Sequence, residues 1–101
     1  MSLDLLTVGR VGVDLYAEQS GVPLAGVRTF AKSLGGTATN LAVAAARLGR
    51  RAAVLTKVGP DPFGGYVREA LRGFGVSADF VGTAEDLLTP VVFAEIGRAH
   101  V

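Results

Sequence analysis

The chain has no cysteine and no tryptophan, one methionine, and a single histidine, His100, in 101 residues. Without cysteine there is neither a disulfide framework nor a thiolate metal site. One histidine leaves no material for a His-based metal centre or a Ser-His-Asp constellation. No apolar run approaches the roughly 18 residues of a membrane span, and no basic stretch leads into an apolar core at the N-terminus. The reading is therefore no membrane partner and a cytoplasmic location. Charge is scarce in both signs: ten Lys and Arg against nine Asp and Glu, net +1, with one basic pair at Arg50-Arg51. That balance argues against nucleic acid as a partner.

What is present is apolar surface, at 50% of residues, and 14 glycines. One small α/β domain, or a piece of a larger one, is expected. Residues 3–8 read as a buried parallel strand, and the alternation of Val11, Val13 and Leu15 continues the extended run. Residues 16–27 carry turn chemistry, and 27–34 alternate as a half-exposed strand. The first helix runs from Thr37 to Leu48, with Leu41, Ala44, Ala45 and Leu48 as an apolar stripe and Ala42, Val43 and Ala46 keeping the other side small. Residues 52–58 form the next strand, giving a right-handed crossover. Asp61-Pro62 reads as an N-cap with proline at the first helical position, and Phe63, Val67, Ala70, Leu71 and Phe74 share one face before Gly75. Residues 78–82 and 89–96 are further strands.

The segment Gly35-Gly36-Thr37-Ala38-Thr39-Asn40 carries the chemistry. Paired glycines let a backbone lie close to a ligand, and a helix N-terminus presents unpaired N–H groups to a polar or anionic molecule. Taken alone, the pair also suits an ordinary loop-to-helix turn, Asp14 a solvated turn acid, and Asn40 a surface residue of the first helical turn. A Rossmann-type phosphate turn fits less well, because the glycines follow 27–34 rather than the first strand and no Gly-x-Gly-x-x-Gly is there.

Gly35, Gly36, Ala38, Asn40 and Ala42, with Gly49 and Gly59 at set distances after them, resemble the first signature of the PfkB/ribokinase family of carbohydrate kinases. Gly59-Pro60-Asp61-Pro62-Phe63-Gly64 is similar to that family's Val-Gly-x-Asp-x-x-Gly turn. The resemblance covers about residues 3–95. It implies the N-terminal part of a ribokinase-like three-layer α/β/α domain with lid β-strands. It also implies ATP and Mg²⁺ as cofactors of the whole enzyme, a sugar or sugar-acid substrate, and a possible homodimer through the lid. Residues 9–16 and 30–36 look most like the 5-dehydro-2-deoxygluconokinase subgroup. Ribokinase, fructokinase and 2-keto-3-deoxygluconate kinase share much of the pattern.

The resemblance implies that Asp14 accepts hydrogen bonds from sugar hydroxyls, that Gly35 and Gly36 let the sugar lie on the backbone, and that Asn40 reads a hydroxyl or carbonyl. Lys32 and Arg28, on the candidate lid strand, are candidates to pair with a substrate carboxylate, against the plainer reading of a solvated strand face. The family's phosphoryl-transfer motif, Gly-Ala-Gly-Asp, does not occur in these 101 residues. No catalytic residue is therefore expected here, no ATP- or metal-holding residue, and no kinase activity from this chain by itself. A non-catalytic fragment that folds poorly and binds nothing stays open as a second hypothesis. Residues 96–101 are the translation of ATC-GGA-AGA-GCA-CAC-GTC, part of a common sequencing adapter. Residues 1–96 are expected to be an incomplete kinase domain and 97–101 a non-native tail.

Overall fold

The computed structural model describes residues 2–95 and 98–100. Two sheets organise the chain. β1 (Leu5–Val8), β4 (Ala52–Val58) and β5 (Val81–Thr83) form a parallel sheet in the order β1-β4-β5. β3 (Phe30–Gly35), β2 (Gly12–Ala17), β6 (Val91–Glu95) and β7 (Arg98–His100) form the other, in the order β3-β2-β6-β7. There β2 runs antiparallel to β3 and parallel to β6, and β7 returns antiparallel to β6. Of the expected tail, residues 96, 97 and 101 lie outside the described residues, while Arg98–His100 pair with β6.

Two helices connect the parallel strands: α1 (Thr37–Arg47) between β1 and β4, and α2 (Pro62–Gly73) between β4 and β5. Both crossovers step the same way along the sheet, so right-handedness places both helices on one face. On that face Val54, Val58, Val67, Leu71 and Val76 are each 2% exposed or less. Burying side chains of this size contributes about 1.5–3 kcal/mol each. On the other face Leu6, Val8 and Leu55 remain exposed, Val8 by 70%.

Helix boundaries follow the local chemistry. The Asp61 side chain caps α2, accepting a hydrogen bond from the Gly64 N–H at 2.8 Å, and Pro62 follows as the first helical residue. Gly49 and Gly75, both at positive φ, stand just past the two helix ends.

Three expectations are corrected. Residues 3–15 are not one strand: the chain bends at Gly9 and delivers β2 to the second sheet. Tyr16 and Ala17 belong to β2 rather than to a turn, because the β3 partners Ala31 and Phe30 extend the pairing that far. On α1 the leucine stripe is not the packing face. Leu41 and Leu48 are exposed by 57% and 80%, whereas Ala38, Thr39 and Ala42 are buried. The small side wins because it allows close approach. The Thr7 hydroxyl donates to the Ala38 carbonyl at 2.9 Å, and a methyl group at Gly9 would stand 3.3 Å from the Ala38 Cβ. On α2, Val67 and Leu71 of the expected face are fully buried, while Phe63 and Phe74 at its ends reach solvent.

Candidate functional site

Strand alternation decides which side chains meet. In the β2–β3 register Gly12 faces Gly35, Asp14 faces Ser33 and Tyr16 faces Ala31. These six share one face of the sheet, and Val92 and Ala94 of β6 extend it. The intervening residues, Val13, Leu15, Leu34 and Val91, point the other way and join the core beside Tyr66 of α2. The Asp14 face is therefore built from small residues with one carboxylate and one phenol upon it.

The carboxylate lies directly over Gly35. A Cβ at Gly35 would collide with Asp14 Oδ1 and stand 2.7 Å from its Cγ. Only glycine leaves that space to the acid. Gly36 is bound by its own geometry: its φ is +106°, and a Cβ there would strike the Arg10 carbonyl. This conformation turns the chain from β3 into α1, whose N-terminus no side chain caps. Asp14, Gly35, Gly36, Arg10 and Pro90 line one groove of about 320 Å³. The Pro90 carbonyl accepts from the Val13 N–H at 2.9 Å and so ties the start of β6 to this wall.

Pro90 is itself held from below. Thr89, 5% exposed, donates to Asp61 through its N–H at 2.9 Å and through its hydroxyl at 2.7 Å, while the same hydroxyl accepts from the Gly59 N–H at 3.0 Å. The Thr89 N–H, then its hydroxyl, then the Gly64 N–H hold the Asp61 carboxyl below its ordinary range. On the Asp14 face, the Tyr16 hydroxyl donates to Asp14 Oδ2 at 3.3 Å. The Asp14 charge, followed by burial and this hydrogen bond, pushes the phenol up from its usual value.

The six residues singled out in the sequence do not all converge. Asp14, Gly35 and Gly36 do. Asn40 is exposed and lines a different groove, of about 330 Å³, with Ser33, Thr39 and Arg47. Lys32 pairs with Leu15, so alternation sends it to the opposite face from Asp14. There its ammonium sits 4.2 Å from the centre of the Tyr66 ring. Arg28 precedes β3, and its N–H donates to the Gln19 side chain at 2.9 Å. At about 3.3 Å per extended residue, its distance along the strand from Gly35 is roughly 20 Å. Neither cation meets Asp14.

Sequence reading missed Tyr16 and the Thr89 link. The spacing Asp14-x-Tyr16 within an alternating run was the available signal for the first. The second joins residues 28 apart and left no local trace.

Among the described residues no three His, Cys, Asp or Glu side chains gather to hold a metal ion. No phosphoryl-transfer step is assigned to these residues. Nor is any helix among the described residues long and apolar enough to cross a membrane.

The chain is 39% identical over 95 residues to 5-dehydro-2-deoxygluconokinase of Photobacterium profundum, an alignment spanning 93% of this chain and 29% of that enzyme. The corresponding enzyme of Clostridium tetani is 37% identical over 83% of this chain and 25% of its own length. Among solved structures, an uncharacterized sugar kinase of Pyrococcus horikoshii, in complex with ATP, superposes with a TM-score of 0.85 at 35% identity, over 91% of this chain and 30% of that one. The chain thus spans under a third of the length of these relatives. The fold is the N-terminal part of the ribokinase-like α/β architecture. The profile of the pfkB family carbohydrate kinases matches residues 2–101, and the chain belongs to that family.

Proposed function

We propose that residues 1–96 are the sugar-holding N-terminal portion of a kinase that uses ATP and Mg²⁺ to phosphorylate 5-dehydro-2-deoxygluconate to its 6-phosphate, in the cytoplasm. Residues 97–101 are a non-native tail. The observation that carries the reading is the Asp14 carboxylate laid over Gly35 in a groove beside an uncapped helix N-terminus. An ionised carboxylate accepts strong hydrogen bonds from hydroxyl groups. The glycine backbone beside it admits the sugar closely, and Asn40 reads a hydroxyl or carbonyl from its own groove. Lys32, on the opposite face from Asp14, and Arg28, ahead of β3, are left out of this reading. The named relatives supply the substrate class.

The phosphoryl-transfer motif Gly-Ala-Gly-Asp is not in this sequence, so the chain by itself binds sugar without phosphorylating it. The exposed Phe93, packed edge-on to Phe30 with ring centres 5.5 Å apart, gives the lid an apolar surface for a second copy in the whole enzyme. Two assays on this chain test the reading. Ligand-observed NMR with 5-dehydro-2-deoxygluconate should show binding, and an ATP-turnover assay should show no phosphorylated sugar. Absence of binding would overturn the sugar site. Turnover would overturn the assignment of chemistry to residues outside this chain.

A further inference from the structure

All three strands of the parallel sheet end at one groove of about 370 Å³. Arg10 follows β1, Lys57 stands at the end of β4, and Ala84 follows β5. Ligands of open α/β sheets lie outside the carboxyl ends of the strands. The segment 84–89 is fastened across this end of the sheet. The Ala84 N–H donates to the Val58 carbonyl at 2.8 Å, and the Gly59 N–H donates to the Thr89 hydroxyl at 3.0 Å. The lining of the groove carries two cations, Arg10 and Lys57, and no acid. The Lys57 stem runs over Gly82, where a Cβ would stand 3.5 Å from Lys57 Cγ and 3.9 Å from Cε. Arg10 is exposed, and among the described residues it enters no ion pair. Arg10, Val11 and Pro90 also line the Asp14 groove, so the two grooves adjoin, and Arg10 is the cation common to both.

We infer that the Arg10–Lys57 groove is the carboxylate subsite of the sugar site. With its hydroxyls at Asp14, the substrate lays its acid end beside Arg10 and Lys57. This rests on the sugar-site reading above. A sugar acid carries hydroxyl donors along its length and an acceptor-only carboxylate at one end. The adjoining grooves offer the matching sequence, an acceptor-only carboxylate and then donor-only cations. A guanidinium receives a carboxylate through two parallel N–H bonds, and an ammonium adds a compact charge. Both cations are exposed, so the gain is that of a solvated ion pair. It amounts to about fivefold in affinity at most, and salt screens it.

The test compares 5-dehydro-2-deoxygluconate with its carboxamide, which keeps every hydroxyl and loses the charge, by ligand-observed NMR on the 101-residue chain. The wild-type chain should favour the acid by about fivefold at low salt and by less than about twofold in about 1 M salt. Arg10→Gln should bring the acid to within about twofold of the carboxamide while leaving the carboxamide unchanged. Lys57→Gln should remove a smaller part of the preference. If Arg10→Gln weakens both ligands alike and leaves their ratio unchanged, the residue is merely structural and the inference fails. Inorganic phosphate that shifts the backbone N–H signals of Arg10 and Lys57, where the acid does not, would make the groove a phosphate site and overturn the inference. A wild-type chain that binds acid and carboxamide equally at low salt overturns the inference alone. A wild-type chain that binds neither overturns the sugar-site reading and the inference with it.

Discussion

The two sheets of this chain are built by different means. In the parallel sheet, Ala52, Ala53, Val54 and Val58 of β4 are buried, with Val67 and Leu71 of α2 pressed onto the same core. In the other sheet burial is sparser: Val13 and Ala17 of β2 are buried on one face, Gly35 and Ala94 on the other, and Asp14 and Tyr16 keep partial exposure. Hydrophobic burial holds the first, so its side chains are committed to packing. The second is held largely by its own backbone pairing and by the Thr89–Asp61 link, which leaves one face free for chemistry. The carboxylate sits where packing is thin and a ligand would have access, and glycine sits beside it because the backbone must yield the space.

The largest effect should come from breaking the packed side. Leu71→Ala removes a fully buried side chain and should destabilise the chain by about 2–5 kcal/mol, read from urea unfolding. The converse change is Gly35→Ala on the open side. The three atoms nearest its new Cβ all belong to the Asp14 carboxylate, so stability should fall by less than about 1 kcal/mol while sugar affinity drops about 30-fold. Calorimetric titration beside a thermal melt separates the two. Acid should weaken the link between the sheets. Asp61 has a depressed carboxyl in the folded chain, so its contribution is present above the unfolded value and lost as pH falls through the folded one. Asp61→Asn should therefore flatten the fall in stability between about pH 5 and pH 2. The smallest effect belongs to Lys32→Ala. The residue lies across the sheet from Asp14, and sugar affinity should change by less than about twofold.

Much of the packed region was legible because its signals are local. The Asp61-Pro62 cap, the glycines past each helix and the apolar run of β4 each announce an element within a few residues. The site was legible in part. Gly35 and Gly36 belong to the spaced motif, whereas Asp14 was reached only through the family resemblance, and the collision at Gly35 explains why that position needs glycine. The face that Lys32 takes was not legible, because a one-residue step along a strand reverses the face and loose alternation does not reveal which phase meets the core. On α1 the leucines were the natural choice by hydrophobicity. A close helix–sheet approach instead favoured the alanine side, a tertiary preference that period alone does not encode. The Thr89–Asp61 contact is a long-range pairing visible only in the folded chain.

The central claim is that the Asp14 carboxylate over Gly35 is what holds the sugar. The most direct test is titration of 5-dehydro-2-deoxygluconate into isotopically labelled chain, comparing wild type with Asp14→Asn by amide shifts. The account predicts shifts gathered at Gly12, Asp14, Gly35 and Gly36 in the wild type, and affinity at least about tenfold weaker in the variant. Equal affinity in Asp14→Asn, or shifts gathered on the parallel sheet instead, would contradict it.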